Sequence, residues 1–237
     1  FQTVIVAQPA GKLFLVSTPI GNLSDITYRA VEVLKHVPLV AAEDTRHSKK
    51  LFAHYSIKTP MVSYFEHNRF SRIPKIVDHL NSGKDCAVIT DAGTPGISDP
   101  AYRLVREVLN HSIIVEAVPG ASALLAALVA SGLPTDRFIF EGFLPPKKGR
   151  QQRISRVAGA EATLVYYESP KRLLRTLKQL YDIFGDRPAV VARELTKLHE
   201  EIKRGTLSEL CTYFSTNTPR GECVILVGKN DRNVYFK

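Results

Sequence analysis

The sequence predicts an α/β protein built of two domains. Three observations point to this fold class: short β-rich runs alternate with amphipathic helical segments, a loop rich in glycine and proline directly follows one run, and the second half repeats the alternation less regularly. Such alternation requires parallel crossovers, so we expect a mostly parallel, doubly wound sheet in the N-terminal domain and a mixed sheet in the C-terminal one. We place these domains at residues 12–118 and 119–230.

Five strands are expected in the first domain. They are Leu13–Ser17, Leu39–Ala42, Met61–Phe65, Cys86–Thr90 and Ile113–Val118. Between the first two strands, SDITYRAVEVLKHV places its apolar residues on one helical face, with Ser24 or Asp25 as the N-cap. The segment RIPKIVDHLNSG repeats this pattern, and Gly83 is suited to the position just after its last turn.

The second domain begins with a helix of small and apolar residues, PGASALLAALVASG. Four strands are expected after it, at Arg137–Glu141, Thr163–Glu168, Ala189–Arg193 and Cys223–Val227. A helix from Ser169 to Phe184 is expected to be capped by Ser169, with Pro170 at its first position.

Composition excludes several classes of protein. Hydrophobic residues form 44% of the 237 positions, yet no apolar run approaches the roughly 20 residues that span a bilayer, so no membrane association is expected. The chain has no HxxxH, HExxH or CxxC pattern, so no metal site is expected. The three cysteines lie far apart beside apolar runs, which favours core packing in a reducing compartment.

The positive charge is concentrated in the second half. Residues 1–118 carry a net charge of +2 and residues 119–237 a net charge of +7. The segment PPKKGRQQRISR, from Pro145 to Arg156, contains no acidic residue and is expected to form an exposed, mobile loop that runs into a helix. A phosphate-contacting arm and a merely solvated basic surface are both compatible with this pattern.

The loop TDAGTPGISDP occupies the end of a predicted strand, where open α/β sheets collect their ligands. Gly93 and Gly96 allow the backbone to approach a ligand closely, while Ser98 or Asp99 has a structural task as the cap of a helix that starts at Pro100. The chain has neither a Walker A nor a GxGxxG motif.

Acidic residues at the strand ends also argue against a triphosphate ligand. Glu43 and Asp44 follow one strand and Asp91 follows another, so their carboxylates would repel phosphates. The same carboxylates suit ribose hydroxyls or a cationic nucleoside, of which S-adenosylmethionine (SAM) is an example.

Six motifs occur in an order that resembles one known family. They are LFLVSTPIGNLSDITYRAVEVLKHVPLVAAEDTR, TDAGTPGISDP, VPGASALLAAL, SGLPTDRFIFEGFLP, YYESPKR and ARELTK. Together they cover nearly all of the chain from about Leu13 to Val227, and they resemble the tetrapyrrole methylase superfamily in its branch of small-subunit ribosomal RNA methyltransferases.

This resemblance implies a cytoplasmic homodimer in which SAM binds between two α/β domains. It implies methylation of a cytidine ribose 2′-hydroxyl in 16S rRNA of the small ribosomal subunit. The loop at Thr90–Ile97 would contact the methionine part of SAM, with Asp91 suited to its ammonium group and backbone amides to its carboxylate. The cofactor-binding residues implied in this way are Pro19, Asp91, Gly93, Thr94, Pro95, Gly96, Ile97, Ser122, Ala123, Leu195 and Thr196.

A ribose hydroxyl is a poor nucleophile until its proton leaves, so a general base is expected to help. The candidates are Glu43, Asp44, Asp91 and His67, although Arg46 beside Asp44 suggests a simple ion pair there. Candidate RNA-binding residues are the cations of the two basic motifs, Lys147, Lys148, Arg150, Arg153, Lys171 and Arg172.

Three other functions remain open at this level. One is C-methylation of a tetrapyrrole, because those precursors are also polyanions. A second is a non-catalytic RNA-binding or ribosome-assembly factor that keeps the fold. The third is a generic nucleotide-binding enzyme, which the missing phosphate-binding motifs disfavour.

Overall fold

A computed structural model describes residues 9–231 and 233–236 of the chain. The chain folds into two compact units. The first ends at Ser122 and the second begins at Ala123, so the boundary lies within the PGASA segment. In the first unit, all five strands are parallel. They are β1 (Leu13–Val16), β2 (Leu39–Ala42), β3 (Met61–Ser63), β4 (Cys86–Ile89) and β5 (Val115–Val118).

The strand order β3-β2-β4-β1-β5 makes this sheet doubly wound. Its helices are α1 (Tyr28–His36), α2 (Thr45–His54), α3 (Arg69–Asn81) and α4 (Ala101–Asn110). Apolar residues of α1 and α2 pack in one buried cluster and those of α3 and α4 in another, so each face of the sheet is covered by two helices. The predicted fold class of this unit is confirmed.

The first helix begins later than predicted. Ser24 and Asp25 lie in a short 3₁₀ turn whose cap is Asn22, and the α-helix starts at Tyr28. Its N-cap is Thr27, which accepts a hydrogen bond from the Ala30 amide at 3.1 Å. The Ser24 and Asp25 prediction is therefore wrong, because Thr27 supplies the same capping oxygen nearer to the apolar face.

The second unit contains a mixed sheet, as predicted. Its strands, in the order β6-β7-β10-β8-β9, are β6 (Phe138–Phe143), β7 (Thr163–Glu168), β8 (Pro188–Arg193), β9 (Glu201–Thr206) and β10 (Cys223–Val227). Only β6 and β7 pair in parallel, with a register shift between Phe140 and Gly142, and β6 runs past its predicted end at Glu141 to Phe143.

Helices cover both faces of the mixed sheet. They are α5 (Ala123–Ser131), α6 (Arg150–Arg156), α7 (Pro170–Phe184) and α8 (Leu207–Thr216). Residues of α6, α7 and α8 share one buried cluster with alternate residues of the sheet, whereas α5 contacts β8, β9 and β10 from outside that cluster. Ser169 is the N-cap residue of α7, but its side chain makes no capping hydrogen bond.

The sequence patterns did not indicate β9, whose sequence EIKRGT is charged and only partly buried. It is the edge strand of the sheet, and charged residues on an edge oppose pairing with another chain.

Cys86 and Cys223 are buried as expected, and burial raises the pKa of each thiol to about 12. Among residues 9–231 and 233–236, no helix is long and apolar enough to cross a membrane.

Candidate functional site

The candidate site of the first unit lies where β1 and β4 end side by side. The chain leaves β1 toward α1 on one face of the sheet and leaves β4 toward α4 on the other. In doubly wound sheets such a reversal opens a crevice at the carboxyl edge. The loop that begins at Thr90 therefore emerges at the position where a ligand is expected.

Two loops are joined at this crevice by backbone hydrogen bonds. The Thr18 amide donates to the Gly93 carbonyl at 2.9 Å, and the Gly93 amide donates to the Thr18 carbonyl at 3.0 Å. The Thr18 hydroxyl donates to the Thr90 carbonyl at 3.1 Å, and the hydroxyls of Ser17 and Thr94 lie 3.0 Å apart. These bonds fix the start of the glycine-rich loop against the end of β1, where half-buried Pro19 follows.

Gly93 has a backbone conformation that favours glycine. Its φ of +85° lies in the left-handed region, and a Cβ there would lie 3.4 Å from Ile20 Cγ2 and 3.6 Å from the Ala121 carbonyl oxygen. Further along the loop, Pro95 is buried while Gly96 and Ile97 are exposed. The backbone is therefore accessible at the loop's outer turn.

Asp99 has the structural task that the sequence suggested. Its carboxylate accepts hydrogen bonds from the Gly96 amide at 2.7 Å and from the Ala101 amide at 2.8 Å. It thus closes the loop onto Ala101, the first residue of α4. Pro100, predicted to be the first helical residue, is the N-cap, so Asp99 lies one position before the N-cap rather than at it. Burial raises the pKa of Asp99 from its ordinary value.

Glu43 and Asp91 lie on neighbouring strand ends and form one network. Glu43 Oε2 accepts from the Thr90 hydroxyl at 2.5 Å and from the Asp91 amide at 3.3 Å. In return, Asp91 Oδ1 accepts from the Asp44 amide at 3.0 Å. Burial and the negative charge of Glu43 raise the pKa of Asp91, so this carboxyl binds a proton more readily than an ordinary aspartate.

Asp44 has a different role from its neighbours. It caps α2 by accepting from the Arg46 amide at 2.8 Å, and it pairs with the Arg46 guanidinium at 2.9 Å. These bonds to Arg46 lower the pKa of Asp44 to about 2. The ion pair that the sequence suggested is present, and a carboxylate of such low pKa is a weak base.

His67 lies apart from this network. It is exposed in the loop after β3, the edge strand, and β2 separates that strand from β4. Its ring is 6.2 Å from the Phe65 ring, edge to face. Within the described residues, no group of three side chains is arranged to hold a metal ion.

In the second unit, the ARELTK segment forms a strained turn after β8. Glu194 and Thr196 both have positive φ, +51° and +66°, on either side of buried Leu195. Non-glycine residues rarely adopt this conformation, and such strain concentrates at functional sites. The Thr196 hydroxyl is buried and has no hydrogen-bond partner among the described residues. That unpaired hydroxyl is what a polar ligand atom would satisfy, so this turn fits a polar cofactor.

The Glu194 side chain holds the turn in place. It accepts from Lys197 Nζ at 2.9 Å and from the Glu222 amide at 3.1 Å. A Cβ on Gly221 would lie 2.0 Å from Glu194 Oε1, so a side chain there would displace the Glu194 carboxylate, and the φ of +77° also favours glycine. Sequence reasoning missed Gly221, and its position just before a buried strand was the available signal.

The PGASA segment leads into α5, which starts at Ala123. Its Leu124 amide donates to the Tyr167 hydroxyl at 3.1 Å, so the aromatic residue before Glu168 anchors the first turn. Ser122 and Ala123, both predicted to contact the cofactor, are partly exposed.

Three of the predicted RNA-binding arginines have internal partners. Arg150 is only 2% exposed, and Arg150 and Arg172 both pair with the buried Glu168, at 3.3 and 2.7 Å. Arg153 pairs with Glu141 at 2.6 Å. The expectation of an exposed loop was therefore wrong for Arg150, which a buried carboxylate holds inside the unit.

The lysines of the same motifs point to solvent. Lys147, Lys148 and Lys171 are exposed, and none of them has an ion-pair partner within the described part of the chain. The predicted RNA-binding set therefore contains two kinds of cation, arginines that pair with carboxylates and exposed lysines that do not.

Comparison with protein-family models finds one match over residues 12–211, to the tetrapyrrole (corrin/porphyrin) methylases. The chain is also 52% identical over 221 residues to a ribosomal RNA small subunit methyltransferase I of Synechocystis, covering 92% of this chain and 79% of the relative. The protein of that name from Thermotoga maritima is 48% identical over 220 residues, covering 92% of this chain and 99% of the relative.

Solved structures share the fold at lower identity. The uroporphyrin-III C-methyltransferase of Thermus thermophilus, complexed with S-adenosyl homocysteine, superposes with a TM-score of 0.66 at 21% identity, covering 92% of this chain and 97% of that chain. This chain thus shares its two-unit fold, with a parallel and a mixed sheet, with that solved structure.

Proposed function

Because the chain belongs to the tetrapyrrole (corrin/porphyrin) methylase family, we propose that it is a SAM-dependent methyltransferase of the small ribosomal subunit. Its substrate is the 2′-hydroxyl of a cytidine ribose in 16S rRNA. The observation that carries this proposal is the 52% identity, over 92% of the chain, to a ribosomal RNA small subunit methyltransferase I. A cytoplasmic location follows from such a substrate.

The residues of both units suit SAM as the methyl donor. SAM supplies a methyl group on a sulfonium that needs no further activation. In the first unit, the exposed backbone at Gly96 and Ile97 would hold its amino-acid end, with Gly93, Thr94, Pro95 and Pro19 beside it. In the second, Ala123, Leu195 and the unpaired Thr196 hydroxyl would contribute, together with Ser122 of the first unit.

Among the four candidate bases, Asp91 is the one that its surroundings favour. Asp44 is tied to Arg46, Glu43 Oε2 is occupied by Thr90, and His67 follows the edge strand. Asp91 Oδ2, by contrast, makes no hydrogen bond to any described residue, and the pKa of Asp91 is raised. We assign it to the proton that leaves the ribose hydroxyl, since a base works best when its pKa is not far below the working pH.

Asp91→Asn tests this assignment. The amide keeps the size and the bond to the Asp44 amide but cannot take a proton, so kcat should fall by roughly 10²–10⁴-fold. The affinity for SAM, measured by calorimetry, should change little. If SAM affinity falls while kcat at saturating SAM survives, Asp91 holds the ammonium group instead.

RNA contact is assigned to exposed cations of the second unit. Lys147, Lys148 and Lys171 are the members of the predicted set that are free to reach phosphates. The homodimer that the resemblance implies remains a prediction, which the mass of the protein in solution by light scattering would test.

The function itself is tested with labelled SAM and small ribosomal subunits from cells that lack the matching enzyme. Mass spectrometry of the digested RNA should reveal a 2′-O-methylated cytidine in the treated sample only. If the protein binds SAM yet transfers no methyl group to the subunit, a tetrapyrrole precursor becomes the next substrate to assay.

A further inference from the structure

The segment from Pro145 to Lys178 is strongly basic. It contains nine lysines and arginines but only two acidic residues, Glu161 and Glu168. The two acids differ, because Glu161 is exposed whereas the Glu168 side chain is fully buried. Within this segment, Glu168 is therefore the one buried carboxylate, and Arg150 and Arg172 pair with it.

Glu168 forms the centre of a buried polar cluster that we call the Glu168 clamp, formed by Glu168, Arg150, Arg172, Thr176 and Gln179. Its carboxylate accepts from Arg172 Nε and from the Thr176 hydroxyl, both at 2.7 Å, and from Arg150 Nη2 at 3.3 Å. Arg150 Nε also donates to Gln179 Oε1 at 2.7 Å. The clamp thus joins the end of β7, the start of α6 and one face of α7 from Arg172 to Gln179.

The clamp also holds the loop that carries two exposed lysines. Arg150 Nη1 donates to the Pro145 carbonyl at 3.2 Å, and Arg172 Nη1 donates to the Leu144 carbonyl at 3.4 Å. The Arg150 amide donates to the Lys147 carbonyl at 3.3 Å. Lys147 and Lys148 therefore extend from a backbone anchored on both sides.

One face of α7 continues this basic surface. Lys171, Arg175 and Lys178 follow at helical spacing of four and three residues, so they form one exposed stripe. Each residue of this stripe directly precedes one of the clamp residues of α7, which are Arg172, Thr176 and Gln179. No described acidic residue forms an ion pair with Arg175 or Lys178.

We propose that Lys147, Lys148, Lys171, Arg175 and Lys178 form a pre-organised surface that binds the phosphodiester backbone of RNA, with the Glu168 clamp beneath it. The proposal deepens, and rests on, the assignment of ribosomal RNA as substrate. Unpaired exposed cations gain most from phosphates, because each neutralised phosphate releases counterions from the RNA. Arg150 acts as a positioning residue, since it is buried and meets no phosphate.

A double variant tests the part of the surface that the sequence did not indicate. Arg175→Gln with Lys178→Gln should weaken binding to unmodified small subunits and reduce the slope of log Kd against log salt concentration by about 0.7 for each phosphate that is no longer neutralised. SAM affinity should stay unchanged. The matched control is Lys35→Gln with Lys58→Gln, which removes the same charge from exposed positions just before β2 and β3, at the amino edge of the first sheet.

Arg150→Lys tests the clamp separately. A single ammonium group cannot reach Glu168, Gln179 and the Pro145 carbonyl together, so amides 147–149 should exchange hydrogen faster and RNA affinity should fall severalfold. The salt slope should not change, because all five surface cations remain. If Arg150→Lys does not fold, Gln179→Leu removes one acceptor at the rim of the clamp and allows the same comparison.

The outcomes separate this surface from the proposed function. Equal salt slopes for wild type and the Arg175/Lys178 variant, with methylation of the subunit intact, would overturn the surface alone. Unchanged RNA affinity in a less stable Arg150→Lys protein would reduce the clamp to a structural role. If the wild-type protein neither binds nor methylates the subunit, the proposed function fails first.

Discussion

Glu43 Oε2 accepts a hydrogen bond from the Thr90 hydroxyl over 2.5 Å, which joins the ends of β2 and β4. The same oxygen accepts from the Asp91 amide at 3.3 Å. Glu43 therefore acts on the candidate base in two ways, because it fixes the backbone of Asp91 and places a negative charge beside its carboxyl.

Glu43→Gln should shift the pH dependence of methyl transfer toward acid. The neutral amide still offers Thr90 an acceptor but removes a charge that raises the pKa of Asp91. A base is active when ionised, so activity is lost as pH falls through its pKa, and a lower pKa moves that loss to lower pH. The measurement is the acid limb of kcat/KM against pH. Asp78→Asn makes the same charge change at an exposed position of α3 and should not shift the acid limb. If Glu43→Gln does not shift the acid limb either, Asp91 is not the titrating group.

Gly93→Ala should lower the affinity for SAM by more free energy than it lowers the stability of the folded protein. The methyl group meets Ile20 and Ala121 at ordinary contact distances, so the main cost to the fold is the positive φ, about 1–2 kcal/mol. On the ligand side, the same methyl group occupies space next to a backbone that SAM would approach. Calorimetry with SAM measures the effect. Gly149→Ala also replaces a glycine of positive φ with open space around it, so it should cost similar stability and leave SAM affinity intact. Equal SAM affinities for the two variants would contradict this placement of the loop.

Thr196→Val should lower the affinity for SAM without lowering the stability of the protein. The hydroxyl is buried without a partner among the described residues, so its removal should leave the melting temperature unchanged or slightly raised. SAM affinity should fall by about tenfold, the value of a single hydrogen bond of roughly 1.4 kcal/mol. Thr196→Ser, which keeps the hydroxyl, is the matched control. A Val variant that binds SAM as tightly as wild type would remove Thr196 from the cofactor site.

Arg187→Met should stabilise the protein. Arg187 is 6% exposed, and its Nε and Nη1 atoms have no hydrogen-bond partner within residues 9–231 and 233–236. Burial lowers the pKa of the guanidinium, and no described carboxylate forms an ion pair with it. A Met side chain keeps the contact with Phe184 without that charge, so the free energy of unfolding should rise by about 1 kcal/mol. Urea denaturation measures it, and a lower midpoint would mean that the bond to the Ala158 carbonyl outweighs the desolvation of the charge.

Several features were predictable from local sequence. The strands Leu39–Ala42, Thr163–Glu168 and Cys223–Val227 have the predicted bounds, because continuous apolar runs between turn residues leave little ambiguity. That Asp99 bonds backbone amides at the start of α4 was also predictable, because such bonds act within three residues, although the N-cap itself is Pro100. By contrast, β9 was missed, because a charged edge strand lacks the apolar signal of a buried one.

The sequence by itself determined the family, the two α/β units and the loop at Thr90, because apolar periodicity and motif order are written along the chain. Only the tertiary structure decided which charged residues are free to act. Arg150 and Lys148 are two residues apart in one basic motif, yet one is held by Glu168 and the other faces solvent. Asp44 and Asp91 both follow strands, yet Arg46 lowers the pKa of one while burial and Glu43 raise that of the other. The physical reason is that the energy of a charge depends on its partners and its burial, and both are set by residues distant in sequence.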